Sequence, residues 1–516
     1  MSGYLKNKRM PWTALAGAVV VLIAWTAVFV SPAQAKRGKI PVLVQATRLT
    51  TGDVQKPRLR SERAETIAFT SDGDVEGPGS AAGHREVYLY HTMYHPLAPN
   101  LIERVTTTTG GGESYAPSRA TDETFSAGRP QFLAFVSTGD FDPSVGNADG
   151  NPEIFLWELL TGKFHQLTNT AAPVVNSDPY PSDSGRCIVF SSSGDLDNND
   201  GSDSGNPGMG LSNPDGSQEV FIYSINTSQN FPFDGDFTQV SNGPAGTVSA
   251  KPVIGGYWFP RQCQSTAYTS DFDQLGNGAT GTHIYVYNRP GGRLEQMDAP
   301  EIPGGLSPGN YFDPNISSAS NFARGPFVVF DTDSDLWMNQ STGRNLFRFR
   351  VFHPRMTQYT DQDAGDVRAP VTSDGGKWIA LESDGELLNP AKTLKHGGAP
   401  PFNADGNWEI FRMKGRRKVM QLTRTQNCSN TQASIEDTGV SIAFRSTCDL
   451  VPGSNPNLQP QVFLYTQVRP DDPLAATGCL VADGCCNEAN GCFGLIEGKT
   501  VKASKKNCIN KASGCK

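Results

Sequence analysis

The sequence predicts an all-β fold: a seven-bladed β-propeller closed by its own N-terminal strand, with a small disulfide-rich module after it. Three observations predict it. A short buried-strand signal recurs seven times, most copies are followed by a second strand with its own signature, and the composition favours turns. Glycine (54) and proline (36) together exceed a sixth of the 516 residues while 19% are charged, a mix that suits many short strands joined by turns.

The recurring signal comes first. It reads Ile67-Ala68-Phe69, Leu133-Ala134-Phe135, Ile188-Val189-Phe190, Thr266-Ala267-Tyr268, Val328-Val329-Phe330, Ile379-Ala380-Leu381 and Ile442-Ala443-Phe444. Two residues after each copy stands Ser or Thr: Ser71, Ser137, Ser192, Ser270, Thr332, Ser383 and Ser446. Five residues after it stands an acid: Asp74, Asp140, Asp195, Asp273, Asp335, Glu386 and Asp449. A next strand follows, as in Glu86–Tyr90, Glu153–Trp157, Glu219–Tyr223, His283–Tyr287, Glu409–Met413 and Gln461–Tyr465; the fifth repeat departs, with Leu346–Phe352 rich in arginine and phenylalanine. A further strand carries Gln-Leu-Thr or a variant, at Gln166–Thr168, Gln239–Ser241, Gln358–Thr360 and Gln421–Thr423. The strand before each first run tends to hold proline: Pro57, Pro117, Pro179, Pro252, Pro314 and Pro370. Four short strands per repeat, with anchors 51 to 78 residues apart, describe propeller blades. A blade buries its faces only against neighbours, so blades stack around an axis. No Gln-Leu-Thr copy follows Tyr465, and the missing one is Thr47-Arg48-Leu49-Thr50 near the start. The N-terminal strand is therefore expected to complete the last blade and remove the open edge.

These repeats resemble the TolB-type propeller, whose pattern is a Leu-Thr strand, a proline strand, Ser-x-Asp-Gly, Ile-Ala-Phe and Ile-Tyr-Val. Ser373-Asp374-Gly375 and Thr423 are near-literal matches, and the resemblance covers about residues 42–468. It implies the fold; one fold hosts many functions. The α/β domain that precedes the propeller in TolB is not expected here, because few residues separate the leader from the first strand.

The leader is read over 1–35. Lys6, Lys8 and Arg9 precede an apolar run from Trp12 to Val30, and Ala33-Gln34-Ala35 supplies a small-x-small cleavage site. The alternative is a retained membrane anchor. Cleavage makes the protein exported, periplasmic or secreted. The chain's net charge is −8; removing three basic residues and no acidic one leaves 41 basic against 52 acidic, or −11. Nucleic acid asks for a clustered basic face, so it is not an expected partner.

Ten cysteines in an exported chain predict disulfides. Cys428 and Cys448 flank one strand pair, and Cys187 and Cys263 occupy matching parts of adjacent blades, so each pair is a candidate bridge. After a Pro- and Asp-rich linker (469–478), residues 479–515 hold Cys479, Cys485, Cys486, Cys492, Cys508 and Cys515. So short a piece needs staples and reads as an attachment knob or a stabilising tail.

Candidate chemistry lies in the loops. The seven acids sit between the second and third strands of each blade, counting the proline strand as first, and would ring one mouth of the propeller. They form either a site for a cation or basic partner, or local turn anchors that accept backbone N–H groups. Asn-x-Asp-Gly-x-x-Glu recurs around Asp149, Asp215 and Asp405, and Asp195, Asp197, Asn199 and Asp203 alternate hard oxygens; these are the candidate calcium ligands. The spacing is not that of an EF-hand, and such stretches also make turns. No Gly-x-Ser-x-Gly or His-Glu-x-x-His occurs, and His84, His91 and His95 read as surface or turn residues. The expected function is protein or glycan binding through one acidic, loop-rich face. The alternative is a metal-assisted polysaccharide hydrolase or lyase working in the channel, and a third reading is a structural envelope protein anchored by the cysteine knob.

Overall fold

The computed structural model describes residues 40–480 except 60–63, 81–82, 93–99, 110–111, 119–130, 160, 183–184, 197–211, 226–234, 256–262, 290–291, 298–309, 318–325, 335, 337–342, 352–354, 362–364, 388–402, 404, 416–417 and 469–478, and also 486–487, 491–492 and 496–497. The expected leader (1–35) and linker, and Cys485, Cys508 and Cys515, lie outside the described residues. Among the described residues every named element is a strand, and no helix is long and apolar enough to cross a membrane.

The chain is an all-β, seven-bladed propeller. It opens with β1 (Ile40–Gln45). Blade 1 is β2 (Val54–Leu59), β3 (Thr66–Ser71), β4 (Glu86–His91) and β5 (Ile102–Arg104). Blade 2 is β6 (Ser114–Tyr115), β7 (Phe132–Ser137), β8 (Glu153–Glu158) and β9 (Phe164–Gln166). Blade 3 is β10 (Asn176–Pro181), β11 (Cys187–Ser192), β12 (Glu219–Ile225) and β13 (Gly235–Gln239). Blade 4 is β14 (Ser249–Gly255), β15 (Ser265–Ser270), β16 (His283–Asn288) and β17 (Arg293–Gln296). Blade 5 is β18 (Tyr311–Ile316), β19 (Phe327–Thr332), β20 (Asn345–Arg350) and β21 (Arg355–Gln358). Blade 6 is β22 (Val367–Thr372), β23 (Trp378–Ser383), β24 (Glu409–Lys414) and β25 (Lys418–Gln421). Blade 7 is β26 (Asn430–Ile435), β27 (Ile442–Ser446) and β28 (Gln461–Val468), with β1 antiparallel to β28 from Ile40↔Val468 to Gln45↔Phe463. The expected Thr47–Thr50 segment follows that strand, and Thr47 Oγ1 accepts the Val462 N–H at 2.9 Å. Of the cysteine-rich end, Cys479–Leu480 pairs with β1, Ile496–Glu497 with β25, and Cys486 lies opposite Cys492 in a two-strand ladder.

Period-two side chains explain why blades need neighbours. In β7, Leu133 and Phe135 join Val87 and Leu89 of blade 1, while Ala134 and Val136 join Ile188 and Phe190 of blade 3. In every blade but the sixth, whose run ends in Leu381, the ring ending the first run stacks on its cross-strand partner: Phe69 on Tyr88 at 5.7 Å between centroids, Phe190 on Phe221 at 6.0 Å, and Phe444 on Phe463 at 5.9 Å, for example. The disulfides Cys187–Cys263 and Cys428–Cys448 are both formed.

A repeated set of hydrogen bonds fixes each blade. The hydroxyls of Ser71, Ser137, Ser192, Ser270, Thr332, Ser383 and Ser446 each accept the N–H two residues on, at 2.9 to 3.2 Å. The next residue's side chain (Asp72, Thr138, Ser193, Asp271, Asp333, Asp384 or Thr447) accepts the N–H just before the blade's first strand, at 2.5 to 3.0 Å. This second contact satisfies an otherwise orphaned donor where the chain enters each blade.

Candidate functional site: the axial channel and the loop face

The first strands of blades 3, 4, 5, 6, 7 and 1 adjoin one another in succession around the axis. Every blade has one non-glycine residue with positive φ, from 44° to 57°, in or directly after its first strand: Lys56, Ala116, Asp178, Lys251, Asp313, Ala369 and Gln432. In six of the blades this residue precedes proline, which ordinarily drives it to extended backbone. The left-handed conformation costs on the order of 1 kcal/mol per residue and bulges the strand against its neighbour. Register shifts fall at that point in six blades, between Gln55 and Arg58 in blade 1 for example.

The bulges bring charge to the axis. Lys56 Nζ lies 3.9 Å from Asp178, joining blades 1 and 3, and Lys251 Nζ lies 2.6 Å from Asp313, joining blades 4 and 5. The Lys56 N–H donates to Gln432 Oε1 of blade 7 at 2.6 Å. The Gln432 N–H donates to Glu382, which also receives Arg368 Nε at 2.9 Å. Burial holds the Lys56 amine below its ordinary value; Asp178 partly offsets this, and Arg58, Lys251 and Arg85 add to the depression. Burial likewise raises the Glu382 carboxyl against the pull of Arg368. Arg58 feels Tyr180 and Asp178 of blade 3 and Glu382 of blade 6, so groups from distant repeats converge here.

The acids five residues past each first run take a different place. Asp140 accepts the Asn147 N–H at 3.2 Å, Asp195 the Asn213 N–H at 3.0 Å, Asp273 the Gly278 N–H at 2.6 Å, and Glu386 the Asn403 N–H at 3.3 Å. Asp449 accepts three N–H groups, from Gly453, Ser454 and Asn455, and Asp74 accepts those of Thr50 and Thr51. Asp335 lies outside the described residues. For Asp74, burial acts to raise the carboxyl, but the Thr50 hydroxyl and the two amides outweigh it and hold it low.

The Asn-x-Asp-Gly loops are clipped shut by their asparagines. Asn147 Nδ2 donates to the Asn151 carbonyl at 2.9 Å, Asn213 to Ser217 at 2.8 Å and Asn403 to Asn407 at 2.9 Å. Asp149 and Asp215 accept the N–H two residues on, at 3.3 and 3.0 Å. Asp405 is exposed, and Asp197, Asn199 and Asp203 lie outside the described residues. Among the described residues no three His, Cys, Asp or Glu side chains are grouped to hold a metal. His84 pairs with Glu86 and His91 with Glu103, each at 2.9 Å, while His95 is outside the described residues.

At the loop-bearing end Glu76, Asp140, Asp149, Asp195, Asp215, Asp271 and Asp405 are all exposed. The loops 138–152, 193–218, 271–282 and 447–460 contain no lysine or arginine. The axial ring has a sequence signal, a variable residue before each strand proline, but proline chemistry argues against the conformation that places it.

The fold defines the class as a seven-bladed β-propeller. No family model matches the chain, and no curated protein does. Among solved structures it is similar to an oligogalacturonate lyase of Vibrio parahaemolyticus (8% identity, 82% of this chain, 93% of that one, TM-score 0.48). It is also similar to TolB of Acinetobacter baumannii (15% identity, 65% of this chain, 66% of that one, TM-score 0.34) and to an acylaminoacyl peptidase of Pyrococcus horikoshii (8% identity, 83% of this chain, 54% of that one, TM-score 0.44). At these identities the likeness is one of architecture.

Proposed function

We propose that the protein is an exported binding scaffold that docks a basic protein or a glycan on its loop-bearing end. The observation that carries this reading is the set of exposed carboxylates on loops pinned by their own side chains. Turns such as 147–151 and 213–217, closed by their own asparagines, lose little entropy on binding, and a one-signed field speeds encounter with an opposite charge. Two body disulfides support export, since such bonds persist in oxidising compartments. Calcium belongs to this reading as a ligand of the Asp- and Asn-rich loops. The test is capture from an envelope or secretome extract on the immobilised mature chain in calcium. A species released by salt or chelator, and lost in an Asp149→Asn/Asp215→Asn/Asp405→Asn variant of unchanged melting temperature, is expected. Equal retention by the variant, or nothing above a blank column, contradicts the reading.

A second reading, a polysaccharide hydrolase or lyase in the channel, is favoured by the charged groups that meet at the axis, Lys56 beside Asp178 and Arg58 near Glu382, with burial lowering the Lys56 amine. Incubation with acidic polysaccharides checks it: chain cleavage lost in Lys56→Gln supports it, and no cleavage of any polymer removes it.

A further inference from the structure

Blade 5 departs from the others on the face its sheet turns toward blade 6. A cavity of 310 Å³ opens there, lined by Phe327, Arg348, Arg350, Arg355, Thr357 and Tyr359. Register places Phe327, Arg350 and Arg355 in one row across β19, β20 and β21, and Arg348 beside Thr357 in the next. No carboxylate is among these lining residues. Three guanidinium groups thus share one small cleft in a chain of net charge −8. Phe327 begins β19, so the cleft lies at the end of the blade opposite the acidic loops.

Blade 6 has the same arrangement with a different fate. Trp378, Arg412 and Lys414 stand where Phe327, Arg348 and Arg350 stand in blade 5. Arg412 is fully buried, its guanidinium 4.6 Å from the Trp378 centroid and 5.5 Å from that of Tyr465, and Nη1 donates to the Gly439 carbonyl at 2.8 Å. The turn of blade 7 therefore consumes that charge. In blade 5 the Arg348 guanidinium lies 3.4 Å from the Phe327 centroid and donates to the Tyr359 hydroxyl at 2.7 Å, and it lines the open cavity. The strand that supplies Met420 and Leu422 in blade 6 supplies Thr357 and Tyr359 here, so the cleft gains two hydroxyls. Arg355 is exposed at its rim.

We propose that this cleft binds an oxyanion, a carboxylate, sulfate or phosphate group borne by a small molecule or a chain end. Arginine forks hold such groups bidentately, and the Thr357 and Tyr359 hydroxyls add donors. The volume suits a group of about the size of one sugar ring rather than an extended polymer. The site is separate from the loop face and stands or falls independently of the function proposed there.

The test is calorimetric titration of the mature chain, at low salt, with glucuronate, inorganic sulfate and inorganic phosphate, with glucose as the neutral control. The expected result is binding of at least one anion tighter than about 1 mM, weakened about tenfold or more in both Arg348→Gln and Arg355→Gln. The preferred anion identifies the chemistry of the natural group. Arg355 is exposed, so its replacement leaves folding intact and keeps the test valid if Arg348→Gln destabilises the blade. No heat above the glucose control with any anion, or binding unchanged in Arg355→Gln, overturns the proposal.

Discussion

Blades 5 and 6 carry the same pair, an aromatic residue opening the second strand and an arginine midway along the third, yet use it differently. In blade 6 the turn of the next blade closes over Trp378, and Arg412 becomes a structural bolt between two repeats. In blade 5 the corresponding arginine, Arg348, lines an open cavity and bonds within its own blade, to the Tyr359 hydroxyl. The difference teaches that in a repeat protein a side chain's role is set by the neighbouring repeat as much as by its own.

The largest effect expected from that contrast is at Arg412. Arg412→Ala strands the Gly439 carbonyl and opens space between Trp378 and Tyr465, and chemical denaturation should report a loss of about 3 kcal/mol or more. Arg348→Ala, judged by the same curve, should cost less than about 1 kcal/mol. Equal losses would break the comparison.

A pH series sharpens it. Burial pushes Glu409 of blade 6 up to about 7, against bonds from Thr423 and Thr425. Burial, with Asp313, pushes Asp331 of blade 5 up to about 7, opposed by Arg344. Each carboxyl binds its proton more tightly folded than unfolded. The stability each contributes is fully present below its unfolded pKa and is lost as pH rises to about 7. Stability should therefore fall across that window, and Glu409→Gln should flatten the slope by up to about 1.4 kcal/mol per pH unit. An unchanged slope would show that Glu409 does not titrate there.

The turns that close each face come next. Gly439 has φ +73°, and a Cβ there would meet Trp378 at 2.2 Å. Gly376 has φ +59°, with Phe327 at 2.7 Å. Gly439→Ala should cost about 2 kcal/mol and Gly376→Ala somewhat less, as read by thermal melting, because blade 5's partner ring lines an open cleft and has room to shift. The smallest effect is expected at exposed Arg355, where Arg355→Gln should change stability by less than about 0.5 kcal/mol.

Much of the fold is legible in the residues. Ile67-Ala68-Phe69 and its six relatives are buried strands, six of them ending in a ring that stacks across the ladder, and the serine or threonine two residues on makes the same turn contact in every blade. The position after that serine is equally regular, always Asp, Ser or Thr, and its purpose appears only once the first strand lies beside it. The axial ring is hidden because Pro57 and its relatives predict extended backbone at the residue before them, whereas Lys56, Asp178, Lys251 and Asp313 adopt positive φ. The blade 5 cleft leaves a trace in Leu346–Phe352 and in Tyr359, which replaces the usual leucine of Gln-Leu-Thr. Its openness depends on where the blade 6 turn falls, and no local pattern encodes that.

The most direct measurement is thermal unfolding of the mature chain, Arg348→Gln and Arg412→Gln, each with and without the anion that titrates best. A ligand bound only by the folded state raises the melting temperature. The anion is expected to stabilise the wild type and Arg412→Gln but not Arg348→Gln, while Arg412→Gln alone melts well below the other two without ligand. If Arg348→Gln melts as low as Arg412→Gln, or keeps the full anion shift, the two arginines do not differ in the way their blades imply.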